Sequence, residues 1–249
     1  MAAKPRGSYG VDAPWVPWFF IGTAVVAAGA AMGFALWAAE WWTIALSWYL
    51  ALCAAVFVVG AVFYWHATSR GKFVIWDRLL RESAPPAGAR MLDLGCGRGA
   101  VAIMAATRFP TLEVTGVDLW RTRDQSGNSL QSAIGNAGAN AVEDRIRFDT
   151  GDMTRLPYSD GSFDLVTANL SIHNIPTEDG RRLAIQEAVR VLAPAGRLII
   201  VDFQHTGEFA AELRRLRTTV TGPTKLGWNG WWNGPWMTSR VVQAVPSSS

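Results

Sequence analysis

Two uncharged runs limit what this chain can fold into. Trp18–Ala39 covers 22 residues and Trp41–Trp65 covers 25, and Glu40 is the only charged residue between Ala13 and Trp65. Each run exceeds the ~18–20 residues with which a helix crosses a hydrocarbon core about 30 Å thick. A single helix through both would be far too long, so the chain is expected to reverse near Glu40. A soluble helical pair would carry a polar stripe on its outer face. A cleaved leader has a shorter apolar core and no second long run behind it. The reading is a transmembrane helical hairpin over residues 14–66, with a tail of residues 1–13 before it. Trp15 and Trp18, then Trp37, Trp41 and Trp42, then Trp65 mark the expected headgroup levels. Lys4 and Arg6 precede the hairpin, Arg70 and Lys72 follow it, and its turn has no basic residue. Both termini are therefore expected in the cytoplasm. Gly29 and Gly33 form a GxxxG pair. It is open to two readings, incidental small residues or close helix contact, within the hairpin or in a homodimer.

Beyond residue 67 the composition changes solvent. Most of the charge lies there, the net charge is a mild +3, and no basic run suggests nucleic acid. Cys53 and Cys96 are too few and too far apart for a disulfide framework, and no metal-binding pattern is present. Residues 71–82 have helical spacing at Phe73, Trp76, Leu79 and Leu80, ended by the prolines of SAPPAGA. Strands are expected at 90–94, 112–118, 146–150, 163–169 and 196–202, with helices at 100–108, 129–137 and 178–192 between them. This alternation gives an α/β fold with a mostly parallel sheet covered on both faces. Further strands are expected near 218–221 and 239–244, on either side of a tryptophan-rich loop.

The first strand opens into "MLDLGCGRGA" (Met91–Ala100), with glycines at 95, 97 and 99. Glycine permits positive φ and lets a ligand approach the backbone with no Cβ in the way. The spacing differs from the GxGxxG of dinucleotide sites, although Asp118 stands about where such folds keep a ribose-binding acid, ~20 residues on. The turn and Asp118 together suit an adenosine nucleoside without choosing the cofactor.

Further motifs make the choice. "LDLGCGRG", "GVDLW", "GDMTRLP", "FDLVTANL" and "RVLAPAGRLIIVDF" resemble, in order and spacing, the class I S-adenosylmethionine-dependent methyltransferases. The stretch "GDMTRLPYSDGSFDLVTANLSIHNI" looks most like the branch that includes the ubiquinone/menaquinone C-methyltransferases. The resemblance runs from about Arg70 to the C-terminus and implies a Rossmann-like seven-stranded domain over residues 67–249. It implies S-adenosylmethionine as cofactor. Gly95 and Gly97 would approach its methionine portion, and Asp93 would help bind the amino group. Asp118 and the adjoining Leu119 would meet the ribose, Asp152 and Met153 the adenine, and Asn169 the methionine end. The hairpin and "DLWRTRDQSGNS" depart from the soluble members, so no substrate is carried over from them.

Methyl transfer from a sulfonium needs alignment and exclusion of water, and a base only when the nucleophile arrives protonated. His173 and His205 follow the fourth and fifth strands at the carboxyl edge of the sheet, where ligands bind. Each is read either as a base or as a loop hydrogen-bonding residue, with His173 preferred as base. Asp202 and His205 are expected to share one rim. Trp120 is read as a cover for adenine or as packing, and Ser126 or Asn128 as the cap of the helix after the DQSGN turn. The loop "GWNGWWNGPWM" (Gly227–Met237) has three readings: membrane-surface contact, the wall of an apolar substrate entrance, or local packing. The leading function is a membrane-anchored methyltransferase acting on a lipophilic acceptor, small molecule or lipid. On that reading, removal of residues 1–66 is expected to spare cofactor binding while sharply lowering transfer to a membrane-resident acceptor. Its rivals are a soluble acceptor, with the hairpin only a tether, and a catalytically silent cofactor-binding scaffold.

Overall fold

The computed structural model describes residues 4–37 and 40–247. The end of the first uncharged run, at Ala39, lies outside them. Helix α1 (Trp15–Leu36) and helix α2 (Trp41–His66) lie against each other as a hairpin. Ala24 and Ala31 of α1 and Ala54 of α2 are buried, and Ser47 Oγ donates 2.8 Å to the Ala31 carbonyl. Trp18, Val26, Trp48 and Val62 point outward. Both helices are long and apolar enough to cross a membrane. Gly29 and Gly33 have nothing within 4 Å of where a Cβ would stand, so this pair makes no helix contact within the hairpin.

Helix α2 does not end at the hairpin. It passes through one π-helical turn (Ala67–Gly71) into helix α3 (Lys72–Ser83), an unbroken run of 43 residues from Trp41 to Ser83. The remaining elements alternate as expected: β1 (Arg90–Leu94), α4 (Ala100–Arg108), β2 (Glu113–Asp118), α5 (Leu130–Ala139), β3 (Ile146–Thr150), β4 (Phe163–Asn169), α6 (Glu178–Arg190) and β5 (Leu192–Asp202). Helix α7 (Thr206–Arg215), not anticipated from sequence, leads to β6 (Thr218–Lys225) and β7 (Arg240–Pro246). The seven strands run in the order β3-β2-β1-β4-β5-β7-β6, and β7 is antiparallel to both neighbours.

Side chains alternate across the sheet, as period-2 strands require. Met91, Ile199 and Val201 pack with Trp76, Leu80 and Ile103 on the α3–α4 face, while Leu92, Leu198 and Ile200 pack with Ile185, Phe209 and Leu213 on the α6–α7 face. The cap of α5 is Ser129, whose hydroxyl accepts from Ser132 N at 3.1 Å, and neither Ser126 nor Asn128 serves. Those two are drawn elsewhere: Ser126 Oγ accepts from Val11 N, and Asn128 donates to Asp118.

The tryptophan-rich loop docks on the end of α2. Trp231 meets Phe63 and Trp232 meets Tyr64 edge-on, and Trp228 stacks on His66 with ring centres 4.3 Å apart. His66 Nε2 also lies 3.1 Å from Asn229 Oδ1. Gly71 makes the close approach possible, since a Cβ there would stand 1.9 Å from the Asn229 carbonyl oxygen. Gly71→Ala should force helix and loop apart at a cost of about 1–3 kcal/mol. Thermal unfolding of the detergent-solubilised protein reads this as a lowered midpoint. Gly22→Ala, which meets open space, should leave the midpoint unchanged or slightly raised.

Candidate functional site

A cleft of about 850 Å³, counting the space open to solvent, crosses the carboxyl ends of β3, β2, β1 and β4. Asp93, Gly95, Gly97, Asp118, Leu119, Asp152, Met153 and Asn169 all line it, so the eight residues singled out for the cofactor meet in one place.

Local structure explains each position. Gly95 and Gly97 have φ of 64° and 54°. A Cβ on Gly95 would stand 2.3 Å from that of Ser171, and one on Gly97 would stand 2.7 Å from Gln125 Oε1. The backbone N–H groups of the turn are all engaged within the protein. Gly95 and Cys96 donate to the Val117 carbonyl, Gly97 to Asp118 Oδ2 at 2.8 Å, Arg98 to Gln125 Oε1 at 3.0 Å, and Gly99 to the Cys96 carbonyl. A phosphate would need such donors free and convergent. The turn therefore suits a ligand without phosphate that packs against the backbone.

Asp118 also accepts from Trp120 N at 2.5 Å and Asn128 Nδ2 at 3.1 Å through Oδ1. Trp120 donates its indole N–H to Thr150 Oγ1 at 2.7 Å and has φ of 57°. Asp152 Oδ1 accepts from the backbone and hydroxyl of Thr154. Asn169 Oδ1 accepts from Trp76 Nε1 at 2.7 Å, which fixes the amide through a residue of α3. Leu170, next along, has φ of 53°, a conformation costing a non-glycine residue about 1–3 kcal/mol and typical of functional sites.

Asp93 is buried, accepting from Thr167 Oγ1 at 2.7 Å. Burial pushes its carboxyl up to about 7, only partly offset by the Thr167 hydrogen bond, with the Asp118 charge adding to the rise.

The strap before α1 closes one side of the cleft. Asp12 Oδ2 accepts from Thr68 Oγ1 at 2.8 Å and from Lys72 Nζ at 3.1 Å, and Oδ1 accepts from Gln125 Nε2 at 3.1 Å. Val11 and Ser126, Ala13 and Asp124, and Ser8 and Asn136 are hydrogen-bonded partners along the same seam. Asp12, Lys72, Gln125, Asn128 and Ser171 all line the cleft, and all but Asn128 had no signal in the sequence because their partners lie far along the chain.

A second, more apolar cavity adjoins the first. Its walls are Trp15, Phe19 and Phe20 of α1 with Tyr64, Phe203, Trp232 and Met237, and it shares Asp12, Asp124, Leu170 and Asn174 with the cofactor cleft. His173 lines it. His173 Nδ1 lies 2.8 Å from Asp202 Oδ1, an electrostatic contact too oblique for a directed hydrogen bond. Asp202 is fully buried and accepts from Phe203 N and His173 N. Asp202 thus faces His173, and its side chain does not pair with His205. His205 turns to Glu208 on α7, Nδ1 to Oε1 2.8 Å, and lines neither cavity. Among the described residues no cluster of three or more His, Cys, Asp or Glu suits a metal ion.

A cleft for a phosphate-free adenosyl ligand, laid across strands in this order, defines the S-adenosylmethionine-dependent methyltransferases. The chain belongs to the family described as "Methyltransferase domain", which matches residues 86–238. It is 40% identical over 127 residues to 27-O-demethylrifamycin SV methyltransferase of Amycolatopsis mediterranei, covering 51% of this chain and 43% of that protein. It is 33% identical over 136 residues to the ubiquinone/menaquinone biosynthesis C-methyltransferase UbiE of Dinoroseobacter shibae, covering 54% and 51%. The chain spans about half the length of the curated relatives it matches. In fold it is similar to geranyl diphosphate C-methyltransferase of Streptomyces coelicolor, solved with Mg2+, geranyl diphosphate and S-adenosyl-L-homocysteine, with TM-score 0.56, 16% identity, and coverage of 71% and 79%. PH0226 of Pyrococcus horikoshii gives TM-score 0.56 at 19% identity over 72% and 91%.

The Asp93 carboxyl generates a pH test. Above about pH 7 it is ionised and attracts a ligand ammonium, and below it is neutral. Affinity for S-adenosylmethionine, measured by calorimetry, should rise severalfold from about pH 6 to about pH 8, and Asp93→Asn should flatten that rise. Without ligand the linkage has the opposite sense. Between about pH 4 and about pH 7 native Asp93 keeps a proton that the unfolded chain has lost, so its contribution to stability falls as pH rises. Asp93→Asn should remove that part of the slope in denaturant titrations.

Proposed function

We propose that this protein is a membrane-anchored methyltransferase that moves a methyl group from S-adenosylmethionine to a lipophilic small-molecule acceptor. The observation that carries the reading is the apolar cavity, which shares four lining residues with the cofactor cleft and takes much of its wall from the first turns of α1. An acceptor held there meets Leu170 and Asn174 at the boundary between the two spaces. Bound S-adenosylmethionine supplies an activated methyl group on a positively charged sulfur. Leu170 and Phe203 exclude water from the boundary, and Asn169, fixed by Trp76, orients the donor end. Where the acceptor carries O–H or N–H, His173 takes the proton, and buried Asp202 stabilises the imidazolium.

The relatives' names include O-, N- and C-methyltransferases, so they support methyl transfer to small molecules without selecting the atom. Gly29 and Gly33 face outward from the hairpin, which favours the homodimer reading of that pair over contact within one chain.

Incubation of native membranes with the protein and labelled methyl donor, followed by mass spectrometry, tests the proposal. Label in a chloroform-soluble compound is the expected result. Label confined to the aqueous phase would reject a lipophilic acceptor, and no label in either phase would favour a silent scaffold. His173→Ala and Asp202→Asn should each lower turnover by about 10²–10⁴-fold while leaving cofactor affinity within a factor of about two, as read by calorimetry.

The topology has its own test. In sealed cells a membrane-impermeant thiol reagent should label a cysteine introduced at Glu40 from outside and leave one at Lys4 unmodified until the cells are opened. The reverse pattern would overturn the orientation.

A further inference from the structure

Lys72 is an ammonium taken out of water. It is 5% exposed, lines the cofactor cleft, and forms an ion pair with Asp12 at 3.1 Å. Burying a charge of this kind is costly unless it is matched, and Asp12 is shared, since its two oxygens also serve Thr68 and Gln125. An ammonium has three donors, and the Asp12 contact engages one of them.

Position within the cleft says what the other donors face. The strand order β3-β2-β1-β4 lays out the lining residues from Asp152 through Asp118 and the glycine turn to Asn169. An adenosyl amino acid spread across these ends puts its nucleoside on the β3–β2 side and its amino acid on the β1–β4 side. Lys72 is on the β4 side, because it lines a small neighbouring cavity together with Asn169 and Leu170. The other cation lining the cleft, Arg121, is exposed and three residues beyond Asp118 on the nucleoside side. The amino-acid end carries an ammonium and a carboxylate, and on the protein side Asp93 and Lys72 offer the opposite charges.

We propose that Lys72 is the counter-ion for the carboxylate of S-adenosylmethionine, and that Asp12 is its positioning residue. The inference rests on the family's cofactor alone and is independent of any acceptor. It means that the segments flanking the hairpin, three residues before α1 and the first residue of α3, complete the cofactor site.

The test is calorimetric titration of the full-length protein in detergent with S-adenosylmethionine and with decarboxylated S-adenosylmethionine, which keeps the sulfonium and the amine. The wild-type protein should prefer the carboxylate-bearing ligand by about 10–100-fold, the range for one charge-assisted contact. In Lys72→Met that preference should fall below about threefold, through weaker binding of S-adenosylmethionine with little change for the decarboxylated ligand. Equal affinity of the wild-type protein for the two ligands would overturn the assignment without recourse to any variant. Equal weakening of both ligands in Lys72→Met would also overturn it, because a residue that merely holds the cleft together does not distinguish them.

Discussion

One carboxylate ties the hairpin to the domain. Asp12 stands three residues before α1 and bonds at once to Thr68 in the π-helical turn after α2, to Lys72 at the start of α3, and to Gln125 in the loop after β2. These partners come from 56, 60 and 113 residues away along the chain. Ordering three distant segments costs backbone entropy, and an ion pair in a partly buried place costs desolvation. The apolar contacts around the knot offset these costs. Tyr9 packs on Phe73, Phe20 on Tyr64, and Tyr64 on Trp232. The polar knot sets which segments meet, and the rings supply most of the burial.

The π-helical turn follows from the same constraint. A continuous α-helix from Trp41 to Ser83 would rotate residues after His66 by a fixed 100° each. Widening one turn shifts that phase, which is why such turns gather at functional places. Here it coincides with Thr68 and Lys72 reaching Asp12, and with Gly71 presenting bare backbone to Asn229. Gln125 then carries the connection to the glycine turn by accepting from Arg98 N and donating to Asp12. The strap before the hairpin thus reaches the glycine turn through the two hydrogen bonds of one side chain, beside the backbone links of Val11 to Ser126 and Ala13 to Asp124.

What could be read in advance depended on whether a function is written locally. Strands 90–94, 146–150 and 163–169 have their observed bounds because buried parallel strands are short apolar runs closed by turn residues. The eight residues that the family resemblance assigned to the cofactor line one cleft because each lies at or near the carboxyl end of a strand. Helix α7 was missed because only Phe209, Ala210 and Leu213 carry its apolar face, among charges that read as loop. Asp12 and Gln125 were missed for a different reason. A short polar residue in a loop looks the same whether it faces solvent or a partner more than a hundred positions away. His173 and His205 looked alike, each a histidine just after a strand, and only the packing of Phe203 and α7 separates them, one toward Asp202 and one toward Glu208.

The tether reading of the hairpin treats the domain as complete from residue 67 onward. The cleft is built otherwise. Its lining includes Asp12 from the strap, and the adjoining cavity includes Trp15, Phe19 and Phe20 from the first turns of α1. Without residues before 67, Lys72 would keep its buried place and lose its counter-charge. Gln125 would keep its bond to the glycine turn and lose its anchor. An uncompensated buried ammonium is among the costlier defects a fold can carry, so the cleft would relax by exposing Lys72 to water. The strap before the hairpin is therefore a structural part of the cleft, and the hairpin itself walls the adjoining apolar cavity.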